Sequence, residues 1–316
     1  MKNKHIIGNL LTLLTMTIWG TTYISTKILL QNLQPLEILF YRFLIAYFIL
    51  IIIYPKFHKL HKLKEELLFI AAGITGVTLY YLVENIALKY TLASNVGLFI
   101  ALAPILTAIL SNFLIEHETF TKELLYGFLI SISGVFLVIF NGNFILKLNP
   151  FGDFLAILAA LIWAVYSILL KKINNKYNYH YIYITRKIFF YGVLFMIPLL
   201  PVFKINFSIN KLLIPSVTFN LSFLSLIASA LCFVMWNIGV KFIGAIKASN
   251  YIYIVPLITA ITSVIVLKES ITYIVMLGAI LILSGLYISQ SGFKNPLKYL
   301  LIIIKDIKRR TTYESK

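Results

Sequence analysis

The chain has 316 residues, 60% of them hydrophobic and only 12% charged, with a mean hydropathy of +0.91 and a net charge of +17. So little polar surface cannot cover a soluble globule of this length, and the positive charge accompanies no soluble basic fold, which excludes soluble enzymes and nucleic-acid-binding domains. A single cysteine, Cys232, excludes a disulfide framework and makes it a small packing residue.

A helix needs about 20 apolar residues to cross a bilayer. Ten such runs follow one another, at 6–29, 35–54, 67–88, 93–115, 124–141, 152–170, 180–200, 216–240, 248–267 and 272–290. Proline and glycine interrupt several, which spanning helices tolerate when neighbours satisfy the freed backbone groups, so a helical bundle is expected rather than a barrel. The first run follows Lys2 and Lys4 but lacks a small-residue cleavage site and is long enough to span, so it is retained. The second run carries Arg42 and the third carries Glu84. The fourth and ninth contain Pro104 and Pro256, each expected to kink its helix by removing one backbone donor. The seventh contains Arg186 and Lys187. After 292 a tail follows whose apolar block, Leu300 to Ile304, is too short to span and precedes Lys308, Arg309 and Arg310; it is expected to lie on the inner leaflet.

The chain repeats itself. Asn85, Lys89, Pro104, Thr107 and Ser111 recur 152 positions later as Asn237, Lys241, Pro256, Thr259 and Ser263. An offset of 151 matches Glu118 with Glu269, Gly127 with Gly278 and Gly134 with Gly285, and one of 144 matches Trp19, Lys27 and Arg42 with Trp163, Lys171 and Arg186. Two related halves are expected, residues 1–145 and 146–292, followed by a basic cytoplasmic tail at 293–316. Five helices per half is an odd number, so the second half enters from the opposite face. The fold class is an all-α integral membrane protein of ten transmembrane helices in two inverted five-helix repeats. Such halves can exchange conformations around one central site, the basis of alternating access. With the N-terminus inside, 19 Lys and Arg residues fall on its side, six on the other and three within spans, which puts both termini in the cytoplasm.

Several of these features together resemble the EamA family of the drug/metabolite transporter superfamily: Trp19-Gly20 near the end of the first helix, Arg42 in the second, the string Glu84 to Thr91 leading into Ala93-Ser94-Asn95, and Pro104 and Pro256 in matching helices. The likeness covers residues 6 to 290. It implies a bacterial inner-membrane carrier with a central cavity between the halves, exporting amino acids or other small metabolites. Ala164 replaces the glycine after the second tryptophan and Trp236 stands where the first half has Glu84, so the halves are not chemically equivalent.

Glu84 is the sharpest candidate, an acidic residue well inside a predicted span, where a carboxylate is expensive. It reads as a protonatable switch, as a contact to a cationic group of the substrate, or as half of an ion pair with Arg42. Arg42 alone could hold a substrate carboxylate with its planar fork. Trp19, Tyr23, Tyr80, Tyr81, Trp163, Tyr166, Trp236 and Tyr253 are candidate cavity walls, although helix packing and interfacial belts use the same rings. Asn95 and Asn250 stand near the entrances to the kinked helices and are open to either role. Asn85 and Asn237 read as interhelical hydrogen bonders, and Lys187 as a side chain reaching toward headgroups. Pro104 and Pro256 are candidate gating bends.

No Ser-His constellation, metal-ligand pair or P-loop stands within the bundle, so no cofactor is expected and a membrane enzyme is a poor reading. A receptor or scaffold would not need the duplication. The expected function is secondary transport of a small molecule in a lipid bilayer, with protons as a candidate coupling ion and without nucleic acid.

Overall fold

The computed structural model of the protein describes residues 2–56, 63–91, 93–115, 118–140, 149–205, 207–267 and 272–292, and every regular element within them is helical. Helix α1 (Lys2–Leu29) is followed by α2 (Pro35–Ile53). Next, α3 (Leu63–Gly73) and α4 (Tyr80–Tyr90) form one rod through a π-helical stretch, Ile74–Leu79. After α5 (Ala93–Ile100), α6 (Ala103–Leu114) and α7 (Lys122–Phe140) come α8 (Pro150–Lys176) and α9 (Tyr181–Met196). Two short helices, α10 (Leu199–Val202) and α11 (Ile209–Leu212), lead to α12 (Pro215–Ser222) and α13 (Cys232–Ile243), joined by a second π-helical stretch, Phe223–Leu231. The chain ends its described course with α14 (Ala245–Asn250), a 3₁₀ turn, α15 (Ile254–Leu267) and α16 (Tyr273–Ser291).

Among the described residues, eight helices are long and apolar enough to cross a membrane. The two other predicted runs are helical as well, as α1 and α9, the latter ending at Met196 before a turn at Ile197 and Pro198. Capping explains several starts. Pro35 occupies the first turn of α2, where its missing N–H costs nothing, and the Glu37 carboxylate accepts from the Gln34 N–H at 3.1 Å. Asn149 caps α8 by accepting from the Gly152 N–H at 3.0 Å, and Thr272 caps α16 by accepting from Val275 at 3.3 Å.

The proline bends are sharper than the sequence suggests. Pro104 lies in the first turn of α6, after a turn at Ala101 and Leu102 that separates α5 from α6. Pro256 lies in the first turn of α15, just after the 3₁₀ turn Tyr251–Tyr253. Each proline starts a new helix instead of bending an existing one, because a first-turn residue has no intrahelical bond to lose. The two π-helical stretches were not foreseen. They end at Leu79 and Leu231, the same 152 positions apart as the repeat.

Helices α7 and α16 pack backbone to backbone. A Cβ on Gly134 would stand 2.6 Å from the Gly278 carbonyl oxygen, and one on Gly127 would stand 2.7 Å from that of Gly285. Residue numbers rise along one helix as they fall along the other, so the pair is antiparallel, joined by small residues as membrane helices prefer. Around the bundle, large apolar side chains such as Phe113, Phe219 and Ile265 face outward, as a lipid solvent allows. His58 and His61, the junction between the halves at 141–148, Glu269, the tail 293–316, and the side chains of Tyr23, Lys27 and Ser263 lie outside the described residues.

Candidate functional site

A cavity of about 440 Å³ runs from Met16, in the middle of α1, to Leu30 and Pro35 at the α1–α2 turn. Six of the candidate residues line it: Trp19, Arg42, Tyr80, Tyr81, Glu84 and Trp163. Three helices supply its polar groups, Thr22 and Thr26 from α1, Arg42 from α2, and Tyr80, Tyr81, Glu84 and Asn85 from α4, while α8 contributes Trp163. The Trp19 and Trp163 rings meet edge-on with centroids 5.4 Å apart, and Tyr80 lies 4.9 Å from Trp163.

The two charges are held separately. Arg42 is buried, donates through Nε to the Ser229 hydroxyl at 2.5 Å, and carries its guanidinium carbon 5.0 Å from the Tyr81 ring centre. Ser229 belongs to the second π-helical stretch, a distortion that recurs at functional positions in membrane and soluble proteins alike. Glu84 is buried too, and its carboxylate accepts from the Tyr80 hydroxyl at 3.2 Å. No ion pair joins Arg42 to Glu84 among the described residues. The contact ion pair that the sequence left open is therefore absent: each charge faces the cavity hydrogen-bonded to a neutral partner, with the other charge acting on it only through space. Asn85 also lines the cavity, against the expectation of an interhelical bond, whereas Asn237 fulfils it by accepting from Asn174 at 2.7 Å and donating to Thr185 at 3.2 Å.

Five other candidates stand elsewhere, because packing neighbours claim their side chains. Trp236 is fully buried beneath the cavity, against both Trp19 and Trp163. Tyr166 packs its ring over Gly76, which has no side chain to exclude it. Tyr253 is buried with Ala101, Val135 and Ile282, away from the cavity. Asn95 donates to the Thr91 hydroxyl at 3.1 Å beside Asp153, and Asn250 is buried in α14. Pro104 and Pro256 do not line the cavity.

The opposite end of the bundle is latched by polar contacts that the sequence did not reveal. Lys187 is buried and forms a 2.7 Å ion pair with Glu66, which also accepts from the Tyr191 hydroxyl at 2.6 Å. The expected reach of Lys187 toward headgroups is wrong, because Glu66 supplies the counter-charge inside the bundle. Arg186 donates to the backbone carbonyls of Tyr54 and Lys56 at 2.5 and 2.8 Å. Glu118 accepts from the Ala245 N–H at 2.8 Å and the Ile246 N–H at 3.2 Å, with the Lys171 ammonium 4.0 Å away. Gly244 makes room for it: its φ is +89°, and a Cβ there would strike the carboxylate. The one readable signal was Lys187 itself, since a cation inside an apolar run needs a partner.

The EamA-like transporter family model matches residues 6–140 and 150–290. The chain belongs to the EamA-like transporter family. It is 31% identical over 293 residues to an uncharacterized transporter of Archaeoglobus fulgidus, covering 90% of this chain and 97% of that one. An uncharacterized transporter of Clostridium kluyveri is 27% identical, with 91% and 94% covered, and YvbV of Bacillus subtilis is 25% identical, with 87% and 89% covered. A solved crystal structure with a TM-score of 0.74 and 17% identity, covering 92% of this chain and 96% of its own, has the same fold. The EamA-like protein is accordingly a multi-pass membrane transporter, with a small-molecule substrate and the lipid bilayer as its partners.

Proposed function

We propose that this EamA-like transporter exports small zwitterionic metabolites of the amino-acid class across a bacterial inner membrane by alternating access. The observation that carries the reading is that Arg42 and Glu84 face one aromatic cavity without pairing to each other. A charge in a membrane interior needs a counter-charge, and a solute with both a carboxylate and an ammonium supplies two. The Arg42 fork takes the carboxylate, Glu84 takes the ammonium, and the rings of Trp19, Trp163 and Tyr81 receive the apolar part.

The architecture that goes with it is ten passes in two inverted repeats, residues 1–145 and 146–292. Support comes from α7 and α16: replacing Gly127 and Gly285 by their repeat matches Gly278 and Gly134 turns one observed contact into the other, as a two-fold axis between antiparallel helices requires. The excess of Lys and Arg places both termini in the cytoplasm. The cavity then faces outward and the Glu66 and Glu118 latches close the cytoplasmic side. A proton arriving at Glu84 from outside competes with the bound ammonium, which couples proton entry to substrate release.

Flux into and out of proteoliposomes tests the substrate class. Free amino acids are expected to move, and their methyl esters and N-acetyl derivatives to move at least about 10-fold more slowly, since each leaves one buried charge unpaired. Equal flux of the blocked and free forms would overturn the zwitterion reading. Under an imposed pH gradient, Glu84→Gln is expected to lose gradient-driven flux; flux that stays gradient-dependent would remove Glu84 from coupling.

A further inference from the structure

The repeat matches Trp19 with Trp163, and the two side chains now do different things. Trp19 donates its indole N–H to the Ala228 carbonyl at 2.8 Å, inside the second π-helical stretch. Trp163 is 4% exposed, and its indole nitrogen has no hydrogen-bond partner. A buried donor left unmade is costly and calls for an explanation. The residue 152 positions before Ala228 is Gly76, which lies in the first π-helical stretch. There the matching interaction is absent, and the Tyr166 ring fills the space beside Gly76. The residue that matches Tyr166 at the offset of 144 is Thr22, a cavity-lining residue whose hydroxyl bonds within its own helix to the Trp19 carbonyl at 2.7 Å.

The arginines divide in the same way. Arg42 engages Ser229 of the second π-helical stretch, whereas its match Arg186 donates to the carbonyls of Tyr54 and Lys56. Trp19 and Arg42 are thus both engaged with the second π-helical stretch, whereas Trp163, which lines the same cavity, makes no bond to the first.

We infer that Trp19 and Trp163 are a pair of positioning residues whose indole N–H groups take turns: Trp19 on the Ala228 carbonyl holds the present opening, and Trp163 on the Gly76 carbonyl holds the opposite one. The π-helical stretches suit this role because their looser backbone bonding leaves carbonyls open to an outside donor. In the second conformation Tyr166 leaves Gly76, clearing the space that mirrors Thr22. The inference rests on the inverted-repeat, alternating-access reading given above.

The test uses two cysteine reporters in the full chain, Thr26→Cys in the cavity and Ser249→Cys in α14, the helix whose start Glu118 holds, labelled from each side with a membrane-impermeant thiol reagent. Trp19→Phe is expected to lower Thr26→Cys labelling and raise that of Ser249→Cys, each by about fivefold, the population ratio that one hydrogen bond carries. Trp163→Phe is expected to move both reporters in the other direction, and the double variant to return them to the parent level. Replacing either tryptophan by its benzothiophene analogue, which keeps the ring shape and removes only the N–H, is expected to reproduce each phenylalanine result. Shifts in the same direction from both single variants, or a Trp163→Phe chain whose labelling is unchanged while its substrate KM rises, would overturn the switch. Reporters in the unsubstituted chain that fail to trade off when substrate is added would overturn alternating access itself, and the switch with it.

Discussion

The two ends of the bundle are built from matched residues and have opposite characters. Glu84 and Thr22 line the cavity, and their matches, Trp236 and Tyr166, are buried rings packed against Trp163. Asn85 faces the cavity, and its match Asn237 is tied to Asn174 and Thr185. On the proposed two-repeat architecture, one scaffold is present twice, and substitution makes one copy a site and the other a plug. A carrier needs this asymmetry if its substrate chemistry is to reside in one half while both halves move.

The largest effect is expected from copying the plug into the site. Glu84→Trp is expected to fill the cavity and abolish flux in proteoliposomes while the protein still elutes as a folded species, because the ring enters space that is already open. Retained flux would mean that substrate does not pass this cavity. At the plugged end, Lys187→Met takes the buried ammonium away from the Glu66 carboxylate, and should destabilise the protein by about 3–5 kcal/mol in a detergent unfolding assay. Adding Glu66→Gln should recover most of that loss; no recovery would mean that Lys187 matters for packing alone.

Two smaller effects sharpen the picture. Gly134→Leu forces α7 away from α16 and should cost about 1–3 kcal/mol in the same assay, against no comparable effect from Leu at exposed Ser133 on the other face of α7. Arg42→Lys keeps the charge but loses the planar fork, and should raise the apparent KM for a free amino acid by about 10-fold, an effect that the corresponding methyl ester does not show. The ester lacks the carboxylate that the fork would bind, so a matching rise for the ester would point to a packing role for Arg42.

Run length and composition alone located the helices, since an apolar run long enough to cross a bilayer satisfies its own backbone groups as a helix, and the run boundaries differ from the helices by a few residues. Legible too were Glu84 and Arg42, because a charge inside an apolar run has to be explained by something. What the linear order could not contain was the direction each side chain takes. Tyr166, Trp236 and Tyr253 have the same chemistry as Trp19, Tyr80 and Tyr81, and only the neighbours supplied by distant helices, Gly76 under Tyr166 or Ala101 and Ile282 around Tyr253, decide which rings face open space. Glu66 and Lys187 illustrate the same limit: they are 121 positions apart, nothing local to either names the other as its partner, and their meeting inside the bundle exists only once α3 and α9 have packed. Hydrophobicity is a property of each residue and can be read along a chain, whereas a cavity is a property of many residues at once.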